Sequence, residues 1–314
     1  MVAERRFIAM TGTPLTTPED AYAYISITNP DAYVSKKWFD AKHVKSRDFF
    51  NKILEYKNED ELNENFLFNS ARVFRRDVDK YLPEVIFKPI FYELEKSHKE
   101  AYDSLAENAL FKYGNEKING NTVQKLHIML QQIIVGYESF FEDEKSKQEA
   151  RKKVKAFELI EQIMSELGGR KLVIFAYYQN TIRALKDFCK PWNAVEIYGK
   201  LTAKVKMQNL NRFLKEDDCK ILIGQPLSMG SGLDGIKKVC TDILFVELPM
   251  IPKELIQAIG RIDRNGQTET CRVRLACAKG TVQMRRQDIL LAKDTIANRI
   301  QYSYKDLRDW LFGG

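Results

Sequence analysis

Four residues of QAIGRIDRNGQ, 257–267, have the types and spacing for chemistry together. Set on a helix at about 100° per residue, Gln257, Gly260, Arg261 and Arg264 fall on one stripe. Two guanidiniums and an amide, with no carboxylate among them, suit a phosphate. The planar arginine fork stays charged and holds two oxygens at once. Leu255, Ile259 and Ile262 fall together on the opposite side as an apolar seat, and Asp263 points off the stripe. Gly260 inside a helix costs about 1 kcal/mol against alanine, which makes sense where a backbone or ligand must come close. An ordinary surface helix with two solvated arginines would carry the same pattern, so the neighbouring segments must decide.

The elements that would position this stripe alternate. After residue 168, KLVIFAYY reads as a buried strand behind a Gly pair, NTIRALKDFC as a helix and AVEIYG as a strand. TAKVKMQNLNRFLKE reads as a helix with Ala203, Met207, Leu210 and Leu214 on one side. CKILIG and DILFVEL are strands, KELIQAIGRIDR is the arginine helix, and CRVRLACA is a further strand. Strands alternating with helices of this length predict parallel strands joined by right-handed crossovers. Ligands of such sheets bind at the carboxyl ends of the strands. Chemistry is therefore expected in the loops after residues 177, 198, 224 and 248. One of these, GQPLSMGSGLDG (224–235), is glycine-rich and could present backbone N–H groups to a phosphate, or be a plain flexible connection.

The first half reads differently. RFIAM (6–10) predicts a short strand, and Thr17 an N-cap, with Pro18 at the first helical position and Glu19 and Asp20 in the first turn. From about 35 to 168 the pattern is mainly helical and charged, interrupted by a strand in EVIFKPIFYEL (84–94). Val123, Leu126, Leu130 and Ile133 form one helix face.

Composition narrows the class. Hydrophobic residues at 44% and charged residues at 30% describe a globular chain with a real core. A net charge of +7 favours an acidic partner, nucleic acid first. No apolar run reaches membrane-spanning length and there is no signal peptide, so no membrane partner is expected. Five cysteines without a C-x-x-C pair predict reduced, buried thiols in a cytosolic protein. His43, His98 and His127 lie far apart, and no metal site is expected.

With the segments in this order, the chain resembles the Swi/Snf-like branch of the superfamily 2 helicases and translocases, of the compact phage and bacterial type. TGTP (11–14) resembles motif III, and VFRRDVDKYLPEVIFKPIFYEL (73–94), with Arg75 and Arg76, the stretch after the helical protrusion. KLVIFAYYQNTIRAL (171–185) resembles motif IV, SMGSGLDG (228–235) motif V, and QAIGRIDRNGQT (257–268) motif VI. IYGKLTAKVKMQNLNRF and CRVRLACAKGT (271–281) match the flanking elements, with Lys206 where arginine is usual and Asp234 where motif V usually ends on asparagine. Motif VI is the specific part; the rest gains force from order and spacing. The first lobe's G-x-x-x-x-G-K-[ST] and D-E-x-H are missing: YGKLT has Ala194 upstream, and EDEKS (142–146) lacks histidine.

The resemblance implies a fold and a function. The fold is α/β, a RecA-like parallel sheet with helices on both faces, preceded by a mainly helical insertion. It divides as 1–34, the last strand and helix of a truncated first RecA-like lobe; 35–150, helical protrusion and linker; and 151–314, the second lobe. The function is that of the second lobe of an ATP-dependent DNA translocase or helicase, inactive alone. ATP with Mg²⁺ would sit mainly on the missing N-terminal RecA-like lobe, a partner in cis or in trans, and RFIAM without that lobe would lack its sheet. Arg264 would be the principal arginine finger and Arg261 its companion, an arrangement worth about 10³- to 10⁵-fold in rate, roughly 4 to 7 kcal/mol. Gln257, Gly260, Gly232 and Asp234 would serve the nucleotide. Tyr178, Gln179, Asn180, Thr181, Ser228 and Ser231 would contact the backbone of double-stranded DNA, and Thr11 and Thr13 would couple hydrolysis to it. The resemblance places the protein in the cytoplasm of a bacterial or phage-infected cell. Two alternatives stay open: a non-catalytic DNA- or protein-binding module on a motor-derived scaffold, and an RNA-directed helicase.

Overall fold

The computed structural model describes residues 8–10, 15, 17–47, 51, 53–71, 83–114, 120–226, 228–229, 235–249, 252–263 and 266–284, and for 108–124 the backbone alone. Two compact units divide the chain, 1–81 with 291–314, and 82–290.

The first unit holds α1 (Ala21–Thr28), α2 (Lys36–His43), a hairpin of β1 (Val44–Arg47) and β2 (Ile53–Tyr56), and α3 (Glu59–Leu67). As expected, Thr17 opens the helical segment with Pro18 behind it: its N–H donates to Asp20 Oδ2 at 2.8 Å and its carbonyl accepts the Asp20 N–H at 3.1 Å. Leu15, Ala21, Ile25, Tyr33, Phe39, Leu62 and Phe66 make the core. His43 is fully buried in it. Its Nε2 lies 2.5 Å from the Tyr33 hydroxyl, which accepts from Asn65 Nδ2 at 3.2 Å, and its Nδ1 lies 3.3 Å from the Lys57 carbonyl. One assignment satisfies all three contacts: Tyr33 donates to Nε2 and Nδ1–H donates to Lys57, so the ring is neutral. Ile8 and Met10 are exposed and in no strand, whereas Arg6 and Phe7 of the expected strand lie outside the described residues.

The second unit opens on β3 (Val85–Tyr92) and four helices, α4 (Lys96–Gly114), α5 (Gly120–Val135), α6 (Glu144–Lys152) and α7 (Lys155–Leu167). There follow β4 (Leu172–Phe175), α8 (Gln179–Phe188), β5 (Val195–Ile197), α9 (Ala203–Lys215), β6 (Ile221–Gly224), β7 (Asp242–Phe245), α10 (Pro252–Ile259) and β8 (Cys271–Ala278). Six strands form one parallel, RecA-like sheet in the order β3-β8-β7-β4-β6-β5. The sequence places β3 as an interruption of the helical stretch; in the fold it is the sheet's edge, in register with β8 from Val85↔Cys271 to Tyr92↔Ala278. Pro89 is tolerated there because an edge strand spends only half its N–H groups on a neighbour.

Every residue of β4, β6 and β7 is buried, the signature of strands covered on both faces. Side chains alternate across the sheet. Leu172, Ile174, Ile221, Ile223, Leu244 and Ala276 join one core cluster with α5, α7 and α8. α7 supplies Phe157, Ile160, Ile163, Met164 and Leu167 to it; burying each such side chain contributes about 1.5 to 3 kcal/mol. α7 stops at Gly168, whose φ of 57° lies in the left-handed region that glycine enters without penalty. On the other face, α9 packs on β5 and β6 through Leu210 and Phe213. Met207 and Ala203, read onto that buried side from the sequence, are exposed. The packed arc is centred on Phe213, which the assumed face left out.

Candidate functional site

The chain leaves β4 toward β5 and returns through β6, whereas from β7 it runs the other way to β8. The direction of winding therefore reverses between β4 and β7, and ligands of open α/β sheets enter the crevice at the carboxyl ends beside such a point. In this lobe a side chain of the protein holds that place. Glu247, just past β7, is fully buried. Its Oε2 accepts the Tyr177 N–H at 2.6 Å and the Tyr178 N–H at 3.0 Å, and its Oε1 accepts the Thr181 hydroxyl at 2.5 Å. A carboxylate is favoured here because α8 begins at Gln179, with its positive dipole end and orphan N–H groups facing this side. The Tyr92 hydroxyl, at the end of β3, is raised far above its ordinary pKa, first by burial and then by Cys277 and Glu247.

A second hub lies one strand over. Gln225, the first residue after β6, donates from Nε2 to the Tyr177 carbonyl at 2.6 Å. Its Oε1 accepts the Gly199 N–H at 2.9 Å and the Ser228 hydroxyl at 3.1 Å. Gly224 before it has no room for a side chain, since a Cβ there would stand 2.1 Å from Met229 Sδ. The loops after β4, β5, β6 and β7 are thus joined through two side chains that the sequence reading passed over. A lone Glu and a lone Gln past strand ends carry no spacing signal; only the strand order brings them together.

Of the expected nucleic-acid contacts, Tyr178, Gln179, Asn180 and Ser228 are half-buried along this edge. Thr181 is a correction: it is fully buried and its hydroxyl is spent on Glu247, so it cannot reach a phosphate in solvent. Ser231, Gly232, Asp234, Thr11, Thr13, Arg75 and Arg76 lie outside the described residues.

The arginine helix is shorter than its sequence pattern. α10 ends at Ile259 rather than running to 264. Gly260 still donates to the Ile256 carbonyl at 2.9 Å, but Arg261 donates to Ala258 at 3.2 Å and Ile262 to Ile259 at 2.9 Å, a tightened last turn. The helix gives way where its poorest helix former stands. A Cβ on Gly260 would meet only the Ile256 and Gln257 carbonyls, so within this chain no other element explains that glycine by close approach. Leu255, Ile259 and Ile262 are buried as the apolar seat, and Gln257, Gly260 and Arg261 are half-buried. Arg264 lies outside the described residues.

Gln267 secures this turn. It is buried, and its Nε2 donates to the Lys237 carbonyl at 2.9 Å and, at the 3.5 Å limit, to that of Ile262. Its Oε1 accepts the N–H groups of Thr268 at 2.9 Å and Glu269 at 3.1 Å. One amide therefore fastens the arginine turn to the segment that follows the glycine-rich loop. At the opposite, amino end of the strands, fully buried Asp242 takes Arg274 at 2.7 Å, Arg170 at 3.0 Å and the Thr241 hydroxyl at 3.0 Å, with Arg272 at 3.8 Å. All five cysteines are buried and free, as expected; burial pushes the thiols of Cys189 and Cys240 up to about 12.

The helicase conserved C-terminal domain profile matches residues 154–266, which contain β4 to β7, both hubs and α10. The chain is a C-terminal part of the Swi/Snf-like superfamily 2 type. The Swi/Snf-like chain is 24% identical over 335 aligned positions to the CHD3-type chromatin-remodeling factor CHR7 of Arabidopsis thaliana, covering 96% of this chain and 26% of that protein. It is 33% identical over 127 positions to the human E3 ubiquitin-protein ligase SHPRH, covering 39% and 7%. It thus spans about a quarter or less of the length of these relatives. Their eukaryotic origin, and that of a Drosophila melanogaster relative, overturns the expectation of a bacterial or phage protein and of that cell's cytoplasm. Its fold is shared with the SWI2/SNF2 ATPase core domain of Sulfolobus solfataricus, at TM-score 0.53 and 18% identity over 94% of this chain and 62% of that one. The same core in complex with dsDNA gives TM-score 0.52 and 18% identity over 91% and 62%.

Proposed function

We propose that residues 82–290 are the second RecA-like lobe of an ATP-dependent translocase on double-stranded DNA. The lobe lays its carboxyl-edge loops on the DNA backbone and turns its arginine helix toward a nucleotide held by another RecA-like lobe. One observation carries this reading: α10 buries Leu255, Ile259 and Ile262 while Gln257 and Arg261 stay half-exposed at the edge of the sheet that also carries Tyr178, Gln179, Asn180 and Ser228. A helix whose stripe was merely decorative would have no need of Gln267 to fix its last turn.

The residues present suit part of a nucleotide site. Arg261, with Arg264, offers planar donors for developing phosphate charge, and Gln257 is placed to orient them. The sequence lacks a phosphate-cradling loop followed by Lys and Ser or Thr, so ATP and Mg²⁺ would be seated chiefly on the other lobe. Half-buried amides, hydroxyls and a tyrosine at the loop tips can position a phosphate backbone without reading its bases, which suits a motor that must pass over any sequence.

Two measurements test the reading. The chain should bind duplex DNA with an affinity that falls steeply as salt rises. When the chain is combined with a first lobe bearing the phosphate loop, DNA-stimulated ATP hydrolysis should appear, and Arg264→Ala or Arg261→Ala should lower kcat by about 10³-fold or more. Hydrolysis by the complete assembly that is indifferent to both substitutions would remove the finger assignment.

A further inference from the structure

We propose that Glu247 is the positioning residue that relays the state of the DNA-facing loops to the arginine helix, an inference that rests on the function proposed above. The Tyr177–Tyr178 segment is gripped on both sides, its two N–H groups by Glu247 and the Tyr177 carbonyl by Gln225. Gln225 in turn holds Gly199 and Ser228. Glu247 also holds Thr181, the third residue of α8. A phosphate docking beside Tyr178, Gln179, Asn180 or Ser228 must therefore move groups bonded directly to one of the two hubs. Glu247 stands only four residues before Pro252, where α10 begins. It is fully buried, so a shift of its carboxylate cannot be absorbed by water and passes into the backbone leading to α10. The crevice that would admit an external anion in other open sheets is here held by an internal one, and its three donors all come from the β4–α8 connection.

The chemistry of the replacement separates relay from scaffold. Glu247→Gln keeps the shape but offers one acceptor oxygen and sets an NH₂ against a donor. The amides of Tyr177 and Tyr178 should exchange about 10- to 100-fold faster, the loss of one charge-assisted hydrogen bond. The substitution also removes a buried negative charge near the face where a polyanion docks, so duplex affinity should hold or rise. A merely structural role would weaken it.

The experiment is hydrogen–deuterium exchange of the full chain with and without a short DNA duplex, alongside fluorescence anisotropy of the same duplex. In the wild type, duplex should alter exchange across 252–263. In Glu247→Gln, duplex should still bind at least as tightly while that alteration disappears. Thr181→Val, which removes only one of the three donors, should reduce the alteration in part and serves as the second variant if Glu247→Gln does not fold. Persistence of the duplex-induced change at 252–263 in either folded variant overturns the relay, as does loss of duplex binding by a folded Glu247→Gln. A wild-type chain that binds no duplex refutes the proposed function itself and takes this inference with it.

Discussion

Replacing Gln267 by alanine isolates what holds the arginine turn in place. The side chain makes three well-formed hydrogen bonds, at 2.9, 2.9 and 3.1 Å, and one marginal contact at 3.5 Å. Each such bond contributes a net 0.5 to 1.5 kcal/mol, or roughly 1.5 to 4.5 kcal/mol for three. Thr268 and Glu269 are exposed, so water replaces the lost acceptor at their N–H groups, and the upper part of that range does not apply. The Lys237 carbonyl is half-buried and re-solvates less well. The expected loss is about 2 to 3 kcal/mol, most of it at the link between the arginine turn and residues 236–238. Native-state exchange of the β7 amides, which report unfolding of the second unit without interference from the first, should accelerate roughly 30- to 150-fold. Glu269→Gln, at an exposed neighbouring side chain, should change the same rates by less than about threefold. Equal, small effects from both substitutions would refute the assignment of Gln267 as the fastener, and with it the account of why the turn after α10 is ordered.

Two further outcomes follow from the packing. Asp242→Asn should destabilise the second unit by about 3 to 5 kcal/mol, because it leaves the buried Arg274 without its counter-charge; Arg272→Gln, at 3.8 Å and well exposed, should cost about 1 kcal/mol or less, and denaturant midpoints for the two variants that coincide would contradict this ranking. The pKa values of His43 and His98 are lowered, chiefly by burial. The unfolded chain therefore binds protons first: stability is fully present above the unfolded histidine pKa of about 6.5 and is lost as pH falls below it toward the folded values. Unfolding free energies measured from pH 7.5 down to 5.5, above the range where carboxylates titrate, should decline in both units, and a flat or rising profile would show that the rings are not held neutral.

Much of the lobe was legible because parallel strands covered on both faces must be continuous apolar runs. LVIF, ILIG and DILF stand out for that reason, and the helices between them follow from crossover length. The apolar seat of the arginine helix at Leu255, Ile259 and Ile262 was likewise readable from its period. Its end was not: the pattern runs on to Arg264, and only backbone hydrogen bonding reveals that the helix tightens after Ile259. The Thr181 hydroxyl looked like a phosphate contact for the same reason that Met207 looked buried, since local spacing says nothing about which neighbour occupies a direction.

Local chemistry in the chain thus determined the element types, the parallel class of the sheet and the cationic stripe, because each depends on residues close together in sequence. The tertiary structure alone decided that β3 joins the sheet edge, that winding reverses between β4 and β7, and that Glu247 and Gln225 meet the Tyr177–Tyr178 segment. Those contacts join residues about 50 to 70 positions apart, and such pairings arise from strand order, a property of the whole sheet that no window of sequence contains.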